Sequence, residues 1–132
     1  MAMVLGRLNV PGVMLYGGSI ASGHTVGQGG MFCGRNLTIQ DIYEALGAYN
    51  AGKITESELK DVEDHACPGA GACGGQFTAN TMATAYQMLG ISAMGSNDVP
   101  AVDSLKADAA RECGRIAVDL VKRGVTPRSL VT

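Results

Sequence analysis

A glycine-rich segment with two cysteines, residues 66–82, most constrains how this chain can fold. It reads Ala-Cys-Pro-Gly-Ala-Gly-Ala-Cys-Gly-Gly-Gln-Phe-Thr-Ala-Asn-Thr-Met. Its glycines let the backbone turn tightly and bring N–H donors close to a bulky inorganic group. A helix predicted to begin near Gln76 places Cys73 at a helix N-terminus, where unpaired N–H groups and the helix dipole stabilise a thiolate. The segment therefore predicts a tight turn that presents Cys73 as a metal ligand.

The cysteines by themselves leave several interpretations open. Cys67 and Cys73 are separated by five residues, whereas common zinc and redox motifs use shorter spacings, and one pair does not fill a tetrahedral site. A loop with two reduced structural thiols, a zinc or thiol module, and a regulatory disulfide all remain open. Cys113 falls on an apolar helical stripe and is expected in the core. Cys33 has no partner at metal spacing and is expected to be a free thiol.

Composition excludes several classes of function. With 132 residues, 46% hydrophobic residues and a net charge of −2, the chain is long enough to bury one core. Basic residues are scattered and aromatic residues make up 5%, which disfavours nucleic-acid binding. No apolar run approaches about 20 residues, so we expect no membrane span. Four cysteines without a secretory leader indicate a reducing compartment, and we expect a cytoplasmic protein.

A short apolar run, residues 13–16, predicts one buried strand of the kind found in parallel sheets. Such a strand needs neighbours on both edges, and residues 91–93 are a weak second candidate. The chain is therefore predicted to be a single α/β unit over residues 1–132, an incomplete piece of a helix–sheet–helix three-layer domain with parallel strands. The glycine-rich residues 17–37 are predicted to form a long loop that could bind an anion. His24, within that loop, is expected to be solvated.

Four helices are predicted from capping signals and apolar periodicity. Thr38 with Asp41 and Thr55 with Glu58 form capping boxes, so a helix is expected after each threonine. The first helix is expected to end at Gly52. The third is expected to run from the cysteine segment to Gly90, and the fourth is expected to end at Arg123. The expected inward positions are Ile39, Ile42, Tyr43, Leu46 and Tyr49 in the first; Leu59 and Val62 in the second; Phe77, Met82, Ala85, Tyr86 and Leu89 in the third; and Leu105, Ala109, Cys113, Ile116, Ala117, Leu120 and Val121 in the fourth, residues 102–123.

The cysteine segment closely resembles the iron–sulfur-binding signature of the dihydroxy-acid dehydratase family, whose related members dehydrate sugar acids. The family pattern is Ala-Cys-Pro-Gly-x-Gly-x-Cys-Gly-Gly-Met-(Phe/Tyr)-Thr-Ala-Asn-Thr-Met, and Gln76 is the clear departure. Met94 is another, since the family usually has proline there. Further matches extend the resemblance to nearly the whole chain; they lie in residues 6–11, 14–20, 23–24, 89–92, 95–96 and 123–128.

This resemblance implies a hydro-lyase of branched-chain amino-acid biosynthesis that converts a small 2,3-dihydroxy acid into a 2-oxo acid. It also implies an iron–sulfur cluster, 2Fe–2S rather than 4Fe–4S, and magnesium. Cys73 matches a cluster ligand, and Cys67 matches a family cysteine with a structural or supporting role at the cofactor. A sugar-acid dehydratase, acting on an aldonate or phosphogluconate, and a non-enzymatic thiol- or metal-binding module are the alternatives.

The resemblance further implies that much of the active site lies outside this chain. In the family, a Cys-Asp-Lys-x-x-Pro-Gly motif supplies one cluster cysteine and two magnesium ligands, another cysteine lies farther upstream, and the catalytic serine follows in a C-terminal domain. None of these elements is found in the 132 residues. We therefore expect an internal piece of an N-terminal domain that is inactive alone and belongs to an enzyme that is a homodimer at full length.

Overall fold

Helices are the main regular secondary structure in the computed structural model, which describes residues 1–27 and 29–131. The elements in chain order are α1 (Ala2–Leu8), β1 (Gly23–His24), β2 (Asn36–Leu37), α2 (Ile39–Asn50), α3 (Glu56–His65), α4 (Thr78–Met88), α5 (Lys106–Arg123) and α6 (Pro127–Leu130). The two short strands pair antiparallel, with Gly23 opposite Leu37 and His24 opposite Asn36. This helix-rich architecture with a small sheet is compatible with the predicted α/β class.

Both predicted capping boxes start helices. The Thr38 N–H donates to Asp41 Oδ2 at 2.7 Å, and the Thr55 N–H donates to Glu58 Oε2 at 2.8 Å. In each case the threonine hydroxyl accepts an N–H from the first turn of the helix. These contacts satisfy donors that the helix itself leaves unpaired. Gly52, with φ of 65°, follows closely after the end of α2, as predicted.

The hydrophobic core lies where α2 and α3 pack against each other and against the small sheet. Leu37 and Val62 are its two largest fully buried side chains. Val62 and Leu59 face inward from α3, as the periodicity predicted. The buried members of this core are Phe32, Leu37, Ala45, Ala48, Ile54, Leu59, Val62 and Ala66.

The buried face of α2 differs from the predicted one. Tyr43 and Leu46 were expected inward but are 63% and 46% exposed. The structure instead buries Ala45 and Ala48, together with Asp41 of the capping box. Small side chains on α2 fit against α3. Leu46 lies one position from Ala45, about 100° around the helix, and Tyr43 lies two positions from Ala45. Which face of α2 is buried depends on its packing against α3 and does not follow from periodicity alone.

The last long helix is shorter than predicted. α5 begins at Lys106 because the preceding residues form turns, in which the Leu105 N–H donates to Asp103 Oδ1 at 2.8 Å. It ends at Arg123, followed by Gly124 in the left-handed region, as predicted. Among the described helices, none is long and apolar enough to span a membrane.

Some of the predicted inward faces of α4 and α5 are wrong. Cys113 is buried as expected, but Leu105 and Val121 are 58% and 63% exposed. On α4 the buried residue is Ala83, whereas the predicted inward Met82 is 43% exposed. The predicted Phe77 and Leu89 are also exposed. Periodicity identified these apolar stripes, but in the described part of the chain the stripes are only partly covered.

The predicted parallel strand is reduced to isolated bridges. Met14 pairs with Ser92, and Ser19 pairs with Ala72, each as a single parallel bridge. The Met14 N–H donates to the Ile91 carbonyl at 2.7 Å, so residues 13–16 do meet the expected second segment. In the described residues, however, neither pairing extends into a ladder, and three layers are not seen.

Four elements were not predicted from the sequence: the two short strands and the two terminal helices, α1 and α6. The β1–β2 hairpin lies inside residues 17–37, which were expected to be a loop. At the opposite end of the chain, α6 contacts α1, where the Arg128 Nε donates to the Gly6 carbonyl at 2.8 Å. Both depend on pairing with a distant partner, which a local pattern does not reveal.

Candidate functional site at the cysteine turn

The two candidate cysteines lie in the connection between α3 and α4. Cys67 and Cys73 are both exposed and are free thiols. We call residues 67–77 the cysteine turn. α4 begins at Thr78, two residues beyond the predicted start, and Phe77 at its N-cap makes no side-chain cap hydrogen bond. The structure thus places Cys73 on an exposed turn just before a helix, as the sequence predicted.

One side of the cysteine turn is held by main-chain hydrogen bonds. The Ile20 N–H donates to the Ala72 carbonyl at 2.7 Å, and the Ala72 N–H donates to the Gly18 carbonyl at 3.0 Å. Gly71 makes this approach possible, since its φ is +142° and an added Cβ would lie 2.6 Å from Ile20 Cα. The sequence predicted that glycines make room for an inorganic group; Gly71 instead makes room for the chain itself.

The other side of the turn is held by a side chain of α4. Asn80 Nδ2 donates to the carbonyl oxygens of Cys73, at 2.9 Å, and Gly75, at 2.8 Å. Asn80 Oδ1 accepts the hydroxyl proton of Tyr16 at an Oη–Oδ1 distance of 2.7 Å. The sequence pattern assigned no role at the site to either Asn80 or Tyr16. Their positions 64 residues apart explain why no local signal joined them.

Tyr16 is itself anchored by the first residue of α5. Lys106 Nζ donates to the Tyr16 carbonyl at 3.2 Å and to the Ser96 carbonyl at 3.4 Å. It also lies 6.0 Å from the centroid of the Tyr16 ring, within cation–π range. Partial burial raises the pKa of Tyr16, and the nearby charge of Cys73 raises it further. The phenol is therefore neutral at physiological pH and acts as a hydrogen-bond donor.

A small cleft opens beside this network. Its volume is about 160 Å³, and its lining includes Tyr16, Ser19, Gln76, Asn80 and Asp98. Gln76, the departure from the family motif, also donates from Nε2 to Thr84 Oγ1 at 3.1 Å, which ties it to α4. The cleft is polar and is adjacent to the cysteine turn.

The glycine-rich loop forms a separate and larger cleft, of about 560 Å³, against α3. Asp61 accepts the Gly27 N–H at 3.1 Å and the Val26 N–H at 3.4 Å, and Glu58 also lines the cleft. The N–H groups of Val26 and Gly27 therefore already bind a carboxylate, whereas anion binding by the rest of the loop stays a prediction. His24 is exposed on β1.

The remaining cysteines match their predicted environments. Cys113 is buried on α5, and Cys33 is an exposed free thiol. Within residues 1–27 and 29–131, no group of three or more His, Cys, Asp or Glu side chains is arranged to hold a metal ion.

An exposed thiol on a glycine turn, held from both sides, defines a candidate cofactor-binding segment within a helix-rich α/β unit. The chain belongs to the dihydroxy-acid/6-phosphogluconate dehydratase N-terminal family, whose model matches residues 1–132. The resemblance inferred from the cysteine segment is thereby confirmed.

Curated relatives agree with this membership. The chain is 51% identical over 131 residues to the dihydroxy-acid dehydratase of Roseiflexus sp. (strain RS-1), covering 99% of this chain and 22% of that protein. It is 49% identical over 130 residues to the dihydroxy-acid dehydratase of Koribacter versatilis (strain Ellin345), covering 98% of this chain and 22% of that protein. The chain thus spans about a fifth of the length of these relatives.

Proposed function

We propose that this chain is a cluster-binding piece of a dihydroxy-acid dehydratase, a hydro-lyase of branched-chain amino-acid biosynthesis. The substrate would be a small 2,3-dihydroxy acid and the product a 2-oxo acid. The observation that carries the proposal is the exposed Cys73 on a braced glycine turn, in a chain that belongs to the dehydratase family. The names of the relatives favour a dihydroxy acid over a sugar acid.

The donor chemistry of the turn fits an iron–sulfur cluster. Asn80 already binds the carbonyl oxygens of Cys73 and Gly75, so the turn offers thiol sulfur rather than oxygen. Thiolate is the ligand that iron–sulfur clusters use. We assign Cys73 as a cluster ligand and Cys67 as a cofactor-binding residue with a supporting role. Other cysteines of the complete polypeptide would complete the site.

When bound, a 2Fe–2S cluster would supply Lewis-acid chemistry for departure of the 3-hydroxyl group, and magnesium would polarise the carboxylate end of the substrate. In this chain Cys73 would hold the cluster through its thiolate. Asn80 and the Ala72 bridge hold the turn that carries this thiolate. The magnesium ligands and the base that removes the C2 proton would lie outside these residues, so we expect no turnover from residues 1–132 alone.

The wider setting follows the same proposal. Residues 1–132 would be one α/β unit within a helix–sheet–helix domain, and the parallel Met14–Ser92 bridge supports this because it brings the two predicted strand segments together. All four cysteines are free thiols, which supports a reducing, cytoplasmic compartment. The complete enzyme would be a homodimer.

Replacing one cysteine at a time tests the proposal in the protein expressed at its full encoded length. We expect Cys73→Ser to abolish both the visible absorption of the cluster and turnover of 2,3-dihydroxyisovalerate. Cys113→Ala is the matched control, because its buried thiol should cost only packing, about 1 kcal/mol. Circular dichroism of both variants measures whether each one folds. Retention of cluster colour and activity in Cys73→Ser would overturn the proposal.

A further inference from the structure

We propose that Asn80 is a positioning residue for the Cys73 thiolate and that Tyr16 fixes Asn80 in its working orientation. The inference rests on the proposed function, since it assumes that Cys73 binds the cluster. It goes further by assigning a task to two side chains that are not themselves proposed as cluster ligands. Neither touches iron in this role; each acts through the backbone of the cysteine turn.

The contacts surround Cys73 along the chain. On its N-terminal side, both main-chain hydrogen-bonding groups of Ala72 are engaged, by Gly18 and Ile20. On its C-terminal side, Asn80 binds the carbonyl of Cys73 itself and that of Gly75. The peptide groups on both sides of the Cys73 Cα are therefore fixed. The direction of its Cα–Cβ bond, and so the region that Sγ can reach, is set by these contacts.

The amide of Asn80 fits this task in one orientation. Both of its N–H groups point to carbonyl oxygens, and its Oδ1 receives the Tyr16 hydroxyl. A rotation of the amide by 180° would place Oδ1 against two carbonyl oxygens, which can only accept hydrogen bonds. The two carbonyl oxygens therefore select the amide orientation, and the Tyr16 hydroxyl holds the amide in it through Oδ1. Lys106 in turn restrains the Tyr16 backbone.

This hydrogen bonding also argues against a direct role for Asn80 in substrate binding. Both of its donors are already used inside the protein. A substrate carboxylate or hydroxyl could take one only by releasing the turn. The residue is thus better suited to positioning the ligand cysteine than to contacting the reacting molecule.

Asn80→Asp and Tyr16→Phe test the inference in the protein expressed at its full encoded length. A carboxylate of the same shape repels the two carbonyl oxygens, so we expect iron to be held about tenfold more weakly in Asn80→Asp. Tyr16→Phe removes one hydrogen bond, and we expect loss of visible absorption to a chelator to be about fivefold faster. Because Tyr16→Phe is the milder change, it keeps the test decisive if Asn80→Asp folds poorly.

Asn97→Asp is the matched control. Asn97 Nδ2 donates at 2.6 Å to the carbonyl of Ala83, which lies on α4, the helix that carries Asn80. In the described residues Asn97 makes no hydrogen bond to the cysteine turn. We expect this variant to lower the melting temperature while keeping iron as firmly as the wild-type protein. A loss of iron in Asn80→Asp that is matched by Asn97→Asp would show a general structural effect and overturn the inference.

The rate of Cys73 alkylation in the iron-free protein separates failure of this inference from failure of the proposed function. We expect Asn80→Asp and Tyr16→Phe to change that rate, whereas Asn97→Asp does not. If Cys73→Ser keeps its iron, the proposed function fails and the inference fails with it. If Cys73→Ser loses iron but Asn80→Asp and Tyr16→Phe hold iron and react like wild type, the positioning role alone is refuted.

Discussion

At the scale of one residue, Gly71 lets the backbone of the cysteine turn approach residues 18–20 closely enough to form hydrogen bonds. Its φ of +142° is unfavourable for other residues, and a Cβ would lie 2.6 Å from Ile20 Cα. We expect Gly71→Ala to open the Ala72 bridge at a cost of more than about 2 kcal/mol. Amide exchange at Ile20 and Ala72, which donate the two bridging hydrogen bonds, measures the effect directly.

Gly47 provides the control for this substitution. It lies inside α2, and a Cβ there meets nothing within 4 Å. Gly47→Ala should therefore stabilise α2 by about 0.5–1 kcal/mol through helix propensity. If exchange at the Ala72 bridge were the same in Gly71→Ala as in wild type, the close approach would not control the turn.

The residues of the site differ in how far the sequence could identify them. Cys73 was predicted because the glycine pattern and the following helix are local signals. Tyr16 and Lys106 were not, because their contacts join residues 64 and 90 positions apart. Asn80 stood within the motif, but its two carbonyl partners depend on how the turn folds. The position of Cys73 on an exposed turn was therefore predictable from local signals, and the contacts with distant residues that hold this turn were not.

At the scale of an element, the N-terminus of α3 carries a pH-dependent contact. The Thr55 N–H and hydroxyl both lie 2.8 Å from Glu58 Oε2. These hydrogen bonds, that of the backbone first, lower the pKa of Glu58 below its ordinary value. Because the folded pKa is lowered, the contribution is fully present above the unfolded pKa of about 4.3 and is lost as pH falls through the folded value.

Glu58→Gln should therefore remove this acid sensitivity, since an amide oxygen can still accept the cap hydrogen bond but does not titrate. We expect amide protection in α3 to fall less between about pH 5 and pH 3 than in wild type. Glu56→Gln, on the same first turn but outside the capping box, is the control and should behave like wild type. Identical pH profiles for Glu58→Gln and wild type would contradict the prediction.

The elements also show why some structure was predictable. A capping box is set by residues three apart, so the starts of α2 and α3 followed from the sequence. The buried face of α2 did not, because Ala45 and Ala48 are selected by contact with α3. Residues 13–16 were predicted as a strand, but a strand exists only with its neighbours. The described chain provides one partner residue, Ser92.

At the scale of the whole molecule, apolar side chains remain uncovered on α5. Val118 and Val121 lie one turn apart on this helix and are 56% and 63% exposed. An exposed apolar stripe of this kind is typical of a surface that packs against other protein. In the proposed enzyme the rest of the polypeptide would cover it.

We therefore expect residues 1–132, expressed alone, to associate at micromolar concentration. Val118→Lys with Val121→Lys should reduce association, because two charges make burial of the stripe costly. Glu112→Gln with Asp119→Asn raises the net charge by the same two units at exposed positions on another face of α5, and should leave association nearly unchanged. Sedimentation velocity of the three proteins distinguishes a specific apolar stripe from a general charge effect. A monomeric wild-type chain with a sharp two-state unfolding transition would show that these residues need no covering partner.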